Sequence, residues 1–437
     1  MHFHRSWTVL VVVALAVVAM PGKAEERARE VSDDQLAENA ALIYWQAFTV
    51  LPELSDANPF RDLTVADVES EIEVRYMIHK SRHALSLLHR AASMDRAVWN
   101  IDRHRPFNTR VPFVGAARRL SRIALLRAKV DASAGRHDEA SDDALAVMRM
   151  GGHLTASPFQ SLQSIGHRTT RLATHALGRM LHRLDDPALR KVADAIDRMP
   201  EGAPIAAIFD HRIAALEALA EAIANTEDNV EALRSVFRAH LGEHMTRVTF
   251  SKARPFTGGE GSRSDELPDG TTLRGYYLEG VRSLAGLARR ARAALREADD
   301  DAARRRVWGE LVEPMNAFQR AHFRMQALMS VALGPINDSQ SRNNKILGAM
   351  TKAAASYFLD GMAAAKRVRG PDGTGFDIEL TDDVLVVKVA DDDSTATNLS
   401  WHFPTTDAAA ERLAQGIRPG QPRNGEQSSG GASRPQR

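Results

Sequence analysis

The chain has 437 residues, long enough for two or three ordinary domains or for one elongated helical array. Hydrophobic residues make up 44% and charged residues 26%, a globular balance, and the formal charge of +1 lacks the basic excess that nucleic-acid binding asks for. Cysteine is absent, which excludes disulfides, thiolate metal sites, iron–sulfur clusters, thiol nucleophiles and a lipid-modified N-terminal cysteine.

The first segment reads as an export signal. Arg5 precedes an unbroken apolar run from Thr8 to Met20, and Gly22 and Ala24 stand at the −3 and −1 positions of a cleavage site, so residues 1–24 are expected to be removed. The run is short for a transmembrane anchor, and no later stretch is apolar enough to span a membrane. Cleavage removes Arg5 and Lys23 and no acids, so 57 − 2 basic against 56 acidic residues leaves a mature balance of −1. The mature chain is expected in the periplasm, the cell envelope or outside the cell.

Helical periodicity dominates the rest. Ser32 and Gln35 form a capping box before a helix with Leu36, Ala40, Ile43, Ala47 and Val50 at helical spacing. Thr64 and Asp67 signal a long helix over about 65–93, with Val68, Ile72, Tyr76, Leu85 and Leu88 inward. The prolines of 97–113 predict a loop. Residues 114–134 predict a helix with Leu120, Ala124 and Ala128 inward, ended by Gly135; Glu139 to Met150 is its partner, stopped by Gly151 and Gly152. Ser157-Pro158 opens the next helix with proline at its first position. Further helices fit 186–199, 203–224, 228–247, 273–298, 302–332 and 340–368.

Composition divides the chain. The Gly-, Ser- and charge-rich stretch 251–272 is expected to separate an N-terminal helical block (25–250) from a C-terminal one (273–369). Within 370–404 the period changes to alternation: Phe376, Ile378 and Leu380, then Val384, Val386 and Val389, with Asp382-Asp383 between, predict a β-hairpin with a third strand near 398–403. From about 405 to 437 the composition predicts a disordered tail. The expected fold class is mainly α, an array or bundle of antiparallel helical hairpins with a small C-terminal β element.

The stretch RAKVDASAGRHDEASDDALAVMRMGG (127–152) places Gly135 and Ala140 where a tetratricopeptide-like unit has its turn glycine and its close-packing alanine. Ala124 and Asp131 stand where such a unit has large aromatic residues, and no 34-residue repeat follows. With the signal segment, NAALIYWQAFTVLP (39–52), the Trp99–Asp102 step and SLQSIGHRTTRLATHALGRML (161–181), this stretch resembles a group of uncharacterised exported proteins of planctomycete-type bacteria over about 32–185. The resemblance implies an exported all-α protein and carries no catalytic residue with it.

Several clusters have the residue types of a site. HLGEH (240–244) matches the H-x-x-E-H pattern in which His240 and His244 on one helix face would hold Zn²⁺ and Glu243 would activate water, with Glu310 or Glu313 as a third ligand. His79 and His83, with Glu73 and His89, have metal-ligand spacing, but Lys80 and Arg82 crowd them with positive charge. His167 and His175 read as packing or surface residues. Arg292 with Glu297 and Asp300 with Arg304 read as a charge-laced helix, whose Arg304–Arg306 run could touch an anionic polymer. Asp382, Asp383 and Asp391 to Asp393 match no calcium loop and read as polar turns. No nucleophile elbow, phosphate loop or dinucleotide fingerprint is present, so no catalytic, cofactor or metal residue is assigned. The expectation is an exported binding or scaffold protein of the envelope with a protein or peptide partner; a zinc hydrolase using His240, Glu243 and His244 and a purely structural envelope component are the alternatives.

Overall fold

A computed structural model describes residues 39–52, 71–99, 111–200, 202–250, 270–298, 300–333, 336–390, 399–416 and 419. The signal segment, the Ser32–Gln35 capping box, the Thr64–Asp67 helix start, Asp102 and Asp391 to Asp393 lie outside the described residues. Among those described, the chain is mainly α with a small antiparallel sheet of three strands near its C-terminal end. No helix among them is long and apolar enough to cross a membrane.

Helix α1 (Ala40–Thr49) buries Tyr44 and Phe48 in an aromatic knot. The Tyr44 ring stacks on Trp99 at 5.6 Å, Trp99 on Phe113 at 4.9 Å and Phe113 on Phe48 at 5.3 Å, pairs worth about 0.5–1.5 kcal/mol each beyond their buried area. The two described ends of the proline-rich loop therefore anchor the core. The long helix expected over 65–93 is two: α2 (Glu71–Lys80) and α3 (Arg82–Ala92), broken at Ser81 (φ −92°, ψ 2°). The break re-phases the apolar stripe. Leu85 and Leu88 point inward as expected, but Ile72 and Tyr76 are 84% and 60% exposed, and Val74 takes the inward position.

Helix α4 (Val114–Ser133) buries Leu120, Ala124 and Ala128 and ends at Gly135, whose φ of +74° suits glycine. Its partner α5 (His137–Thr155) does not stop at Gly151 and Gly152 but runs through both. The glycines mark the crossing with α6 (Gln160–Met180). A β-carbon on Gly151 would lie 2.9 Å from the Gly166 carbonyl oxygen, and one on Gly166 only 2.6 Å from that of Gly151. Pro158 precedes α6 instead of occupying its first position. Helix α7 (Asp186–Asp197) follows, with the Asp185 side chain accepting from the Ala188 amide.

Helices α8 (Ile205–Ala224), α9 (Val230–Phe250), α10 (Leu273–Glu297), α11 (Asp301–Ala321) and α12 (Gln326–Leu333) build a second core around Leu216, Phe237, Tyr277, Leu284 and Leu328. The expected division at 251–272 is thus not where the cores divide. Helices α8 and α9 before it share their apolar interior with α10–α12 after it, because α10 lies along α8. The expected 302–332 helix breaks at His322 (φ −126°, ψ 50°).

Helix α13 (Ile336–Asp360) and the short α14 (Met362–Ala365) return to the first core, where α13 packs on α6 and α7. The hairpin of β1 (Phe376–Thr381) and β2 (Val384–Val389) turns at Asp382 and Asp383, with φ of 51° and 58°; short acidic side chains tolerate this left-handed pair, which suits strand twist. Strand β3 (Ser400–Pro404) pairs antiparallel with β2. Three strands need a surface to lean on, and Phe403 meets α6 at Gly178, where a β-carbon would lie 3.0 Å from its ring. Composition overstated the tail: residues 407–414 form α15 (Asp407–Ala414), capped by Thr406, with Ala409 packed beside Val384 and Val386.

Replacing Gly166 by Ala should lower stability by about 1–3 kcal/mol, because the added methyl meets backbone on α5 and cannot push it aside. Gly115→Ala, with open space at its β-carbon, should be neutral or slightly stabilising. Urea midpoints of the two variants check the pair.

Candidate functional site

The helix pair around Gly135 creates a buried ionic group in the first core. An antiparallel hairpin brings residues equidistant from its turn face to face, and Arg127 on α4 and Asp143 on α5 each stand eight positions from Gly135. The Asp143 carboxylate is fully buried, and a buried charge needs a partner. Arg127 donates from Nε to Oδ2 at 2.6 Å and from Nη2 to Oδ1, the bidentate fork that guanidinium and carboxylate geometry favours. His89 on α3 closes the group, its Nε2 lying 2.7 Å from Asp143 Oδ1. Burial pushes the Arg127 guanidinium down, and the hydrogen bonds and charge of Asp143, helped by Asp131, more than offset this and hold it above its ordinary value.

Arg127 also lines a cleft of about 840 Å³ between α2, the start of α3 and the C-terminal half of α4. That volume falls within the usual range of small-molecule sites. Among the described residues the cationic lining is Arg75, His79, Arg82, Arg127, Lys129 and Arg136, and one carboxylate, Asp131, lines the cleft and accepts from Arg136 Nε at 2.9 Å. A smaller groove of about 220 Å³ between α4 and α6 is lined by Arg118, Arg122 and Arg168 with Ser121 and Thr169. Among the described residues both concavities carry more cations than carboxylates, in a chain whose total charge is near zero.

The sequence-predicted clusters are arranged differently. HLGEH is not on one continuous helix: Gly242 (φ 82°, ψ 167°) interrupts α9 between His240 and Glu243, so the four-residue spacing does not put His240 and His244 on one face. Glu243 pairs instead with Arg238 at 2.7 Å, and the side chain of His244 lies outside the described residues. Glu313 pairs with Arg320 at 2.7 Å. His79 and His83 fall on separate helices on either side of Ser81; His79 lines the cleft and His89 serves Asp143, while the Glu73 side chain lies outside the described residues. Among the described residues no group of three or more His, Asp and Glu is placed to hold a metal ion. Arg292 on α10 pairs at the surface with Asp210 on α8 at 2.6 Å, and Asp300 caps α11 by accepting from the Ala303 amide at 2.6 Å. Asp382 and Asp383 form the hairpin turn.

The histidines read as packing or surface residues divide, His167 being buried and His175 exposed. His175 lies against the Trp401 ring at 4.2 Å. His167 is buried and takes a hydrogen bond at its carbonyl from Asn344 on α13, at 3.0 Å. His153, not singled out by the sequence, is 1% exposed; its Nδ1 lies 2.9 Å from the Tyr44 hydroxyl and its carbonyl accepts from Trp99 Nε1 at 3.0 Å. Burial pushes His153 and His167 down to about 4 and the Tyr44 hydroxyl well up. These groups tie α1, α5, α6 and α13 together from inside.

No family model, curated protein or solved structure matches the chain.

Two outcomes follow. Asp143→Ala should destabilise the fold by about 2–4 kcal/mol, since it strands Arg127 and His89 against each other, whereas Arg127→Lys should cost less; calorimetry separates them. A histidine held neutral by burial contributes stability that is full above its unfolded value of 6.5 and is lost as pH falls from there towards 4. The unfolding free energy from urea titrations should therefore fall over that window by up to about 1.4 kcal/mol per pH unit for each of His153 and His167, and His153→Gln should flatten the slope.

Proposed function

We propose that this protein is an exported, non-enzymatic helical protein that binds or scaffolds a partner in the cell envelope, and that its partner engages the cleft beside Arg127. The observation that carries the reading is the convergence of cationic side chains from three helices on one concavity of ligand size. The signal-like segment 1–24 and the resemblance over 32–185 to exported helical proteins support the envelope setting. The helical hairpins supply rigid walls, and rigid walls reduce the ordering cost of association.

A photo-crosslinking amino acid placed at Ala134, which lines the cleft and is exposed, tests the reading in the producing cells. The expected result is a discrete adduct from the envelope fraction that the same probe at exposed Asp360 on α13 does not give. Equal labelling at the two positions, or none at either, overturns it.

A further inference from the structure

The cleft's chemistry says more than that it binds. Among the described residues its lining gathers Arg75, Arg82, Arg127, Lys129 and Arg136 and one carboxylate, Asp131, which Arg136 holds. Arg127 is the anchor. Its Nε and Nη2 are committed to Asp143, so the guanidinium plane is fixed from behind by a fully buried carboxylate. Among the described residues Nη1 has no protein acceptor, and it belongs to a residue on the cleft wall. A guanidinium held this way presents N–H donors to an oxyanion without losing rotamer freedom on binding. Among the described residues no aromatic side chain lines either concavity, so they offer no base-stacking platform, and what they offer a ligand is charge and hydrogen bonding.

The α4–α6 groove extends the same chemistry. At about 100° per residue, Lys129 at the cleft falls within about 40° of Arg118 and Arg122 around the α4 axis, and Arg122 lies about 10 Å along it. Arg168 faces Arg118 and Arg122 across that groove, which Ser121 and Thr169 also line. One α4 stripe thus links two cationic concavities.

From these observations we infer that the cleft is the primary seat for an extended oligoanion, a chain bearing repeated phosphate, sulfate or carboxylate groups, and that the Arg118–Arg122–Arg168 groove receives the same chain one or two charges further along. The inference rests on the binding reading above and names its ligand class. Asp143 is a positioning residue: it touches no ligand but holds Arg127 in the binding geometry.

The test uses the full mature chain, inorganic tripolyphosphate as a short probe and long-chain inorganic polyphosphate as a long one, with calorimetric titration at several salt concentrations. The long probe should bind more tightly than the short one, and its affinity should fall steeply with salt. Arg82→Gln with Arg127→Gln should weaken both probes at least tenfold. Arg118→Gln with Arg122→Gln should weaken the long probe several-fold and leave the short one unchanged. Asp143→Asn should weaken both while circular dichroism stays native; if that variant or the Arg127 variant unfolds, exposed Arg82→Gln alone, which should weaken both probes, and the Arg118/Arg122 pair still decide. Unchanged affinity in the Arg82/Arg127 variant, or binding to anionic phosphatidylglycerol vesicles with neither soluble probe bound, overturns the inference. A cleft adduct from Ala134 without polyphosphate binding removes the ligand class and keeps the binding reading; loss of both removes the two together.

Discussion

The close approach of α5 and α6 at Gly151 and Gly166 is the contact on which the first core is built. Neither position can accept a side chain without backbone meeting backbone. Helices this close leave no room for slippage, so the groups on their other faces are held in register. Asp143 on α5 then faces α4, His153 on the same helix faces α1, and α6 presents Gly178 to Phe403 of the sheet. The small sheet, too few strands to stand alone, leans on α6 and α13.

Burial of polar groups inside this frame sets most of its specific geometry. A fully buried carboxylate is costly unless every lone pair is used. Asp143 offsets that cost with three hydrogen bonds from Arg127 and His89 on two other helices, two at Oδ1 and one at Oδ2, and the cleft gains a guanidinium in one orientation as a by-product. Structural necessity and a candidate binding surface thus coincide in one ion pair. At Tyr44, His153 and Trp99 the same rule acts without net charge, and burial keeps the imidazole neutral.

The second core shows how far glycine and proline signals carry. The Gly- and Ser-rich stretch 251–272 looked like a boundary between blocks, yet α8 and α10 on either side of it lie against each other. A polar connection reports an excursion of the chain to the surface and says nothing about which helices meet afterwards. Gly242 acts in the opposite direction. It sits unremarked inside a helical pattern, breaks α9, and takes apart a five-residue motif whose meaning required an uninterrupted turn.

Local pattern alone determined the mainly helical class, the hairpin around Gly135, the inward face of Leu120, Ala124 and Ala128, and the C-terminal strands with their turn at Asp382-Asp383. These are short-range matters of period and turn chemistry, decided within a few residues. Only the tertiary structure decided that Gly151 and Gly152 are a crossing and not a stop, that Ile72 and Tyr76 face outward, and that residues 407–414 form a helix held by Asp407 to His182, 225 positions away in the chain. The candidate site was half legible. The hairpin symmetry about Gly135 pairs position 127 with position 143, but burial makes that pair an anchor, and burial depends on helices distant in sequence. The convergence of Arg75 and Arg82 with Arg127, Lys129 and Arg136 on one cleft left no local trace, because a cation on a solvated helix and a cation on a cleft wall have the same neighbours along the chain.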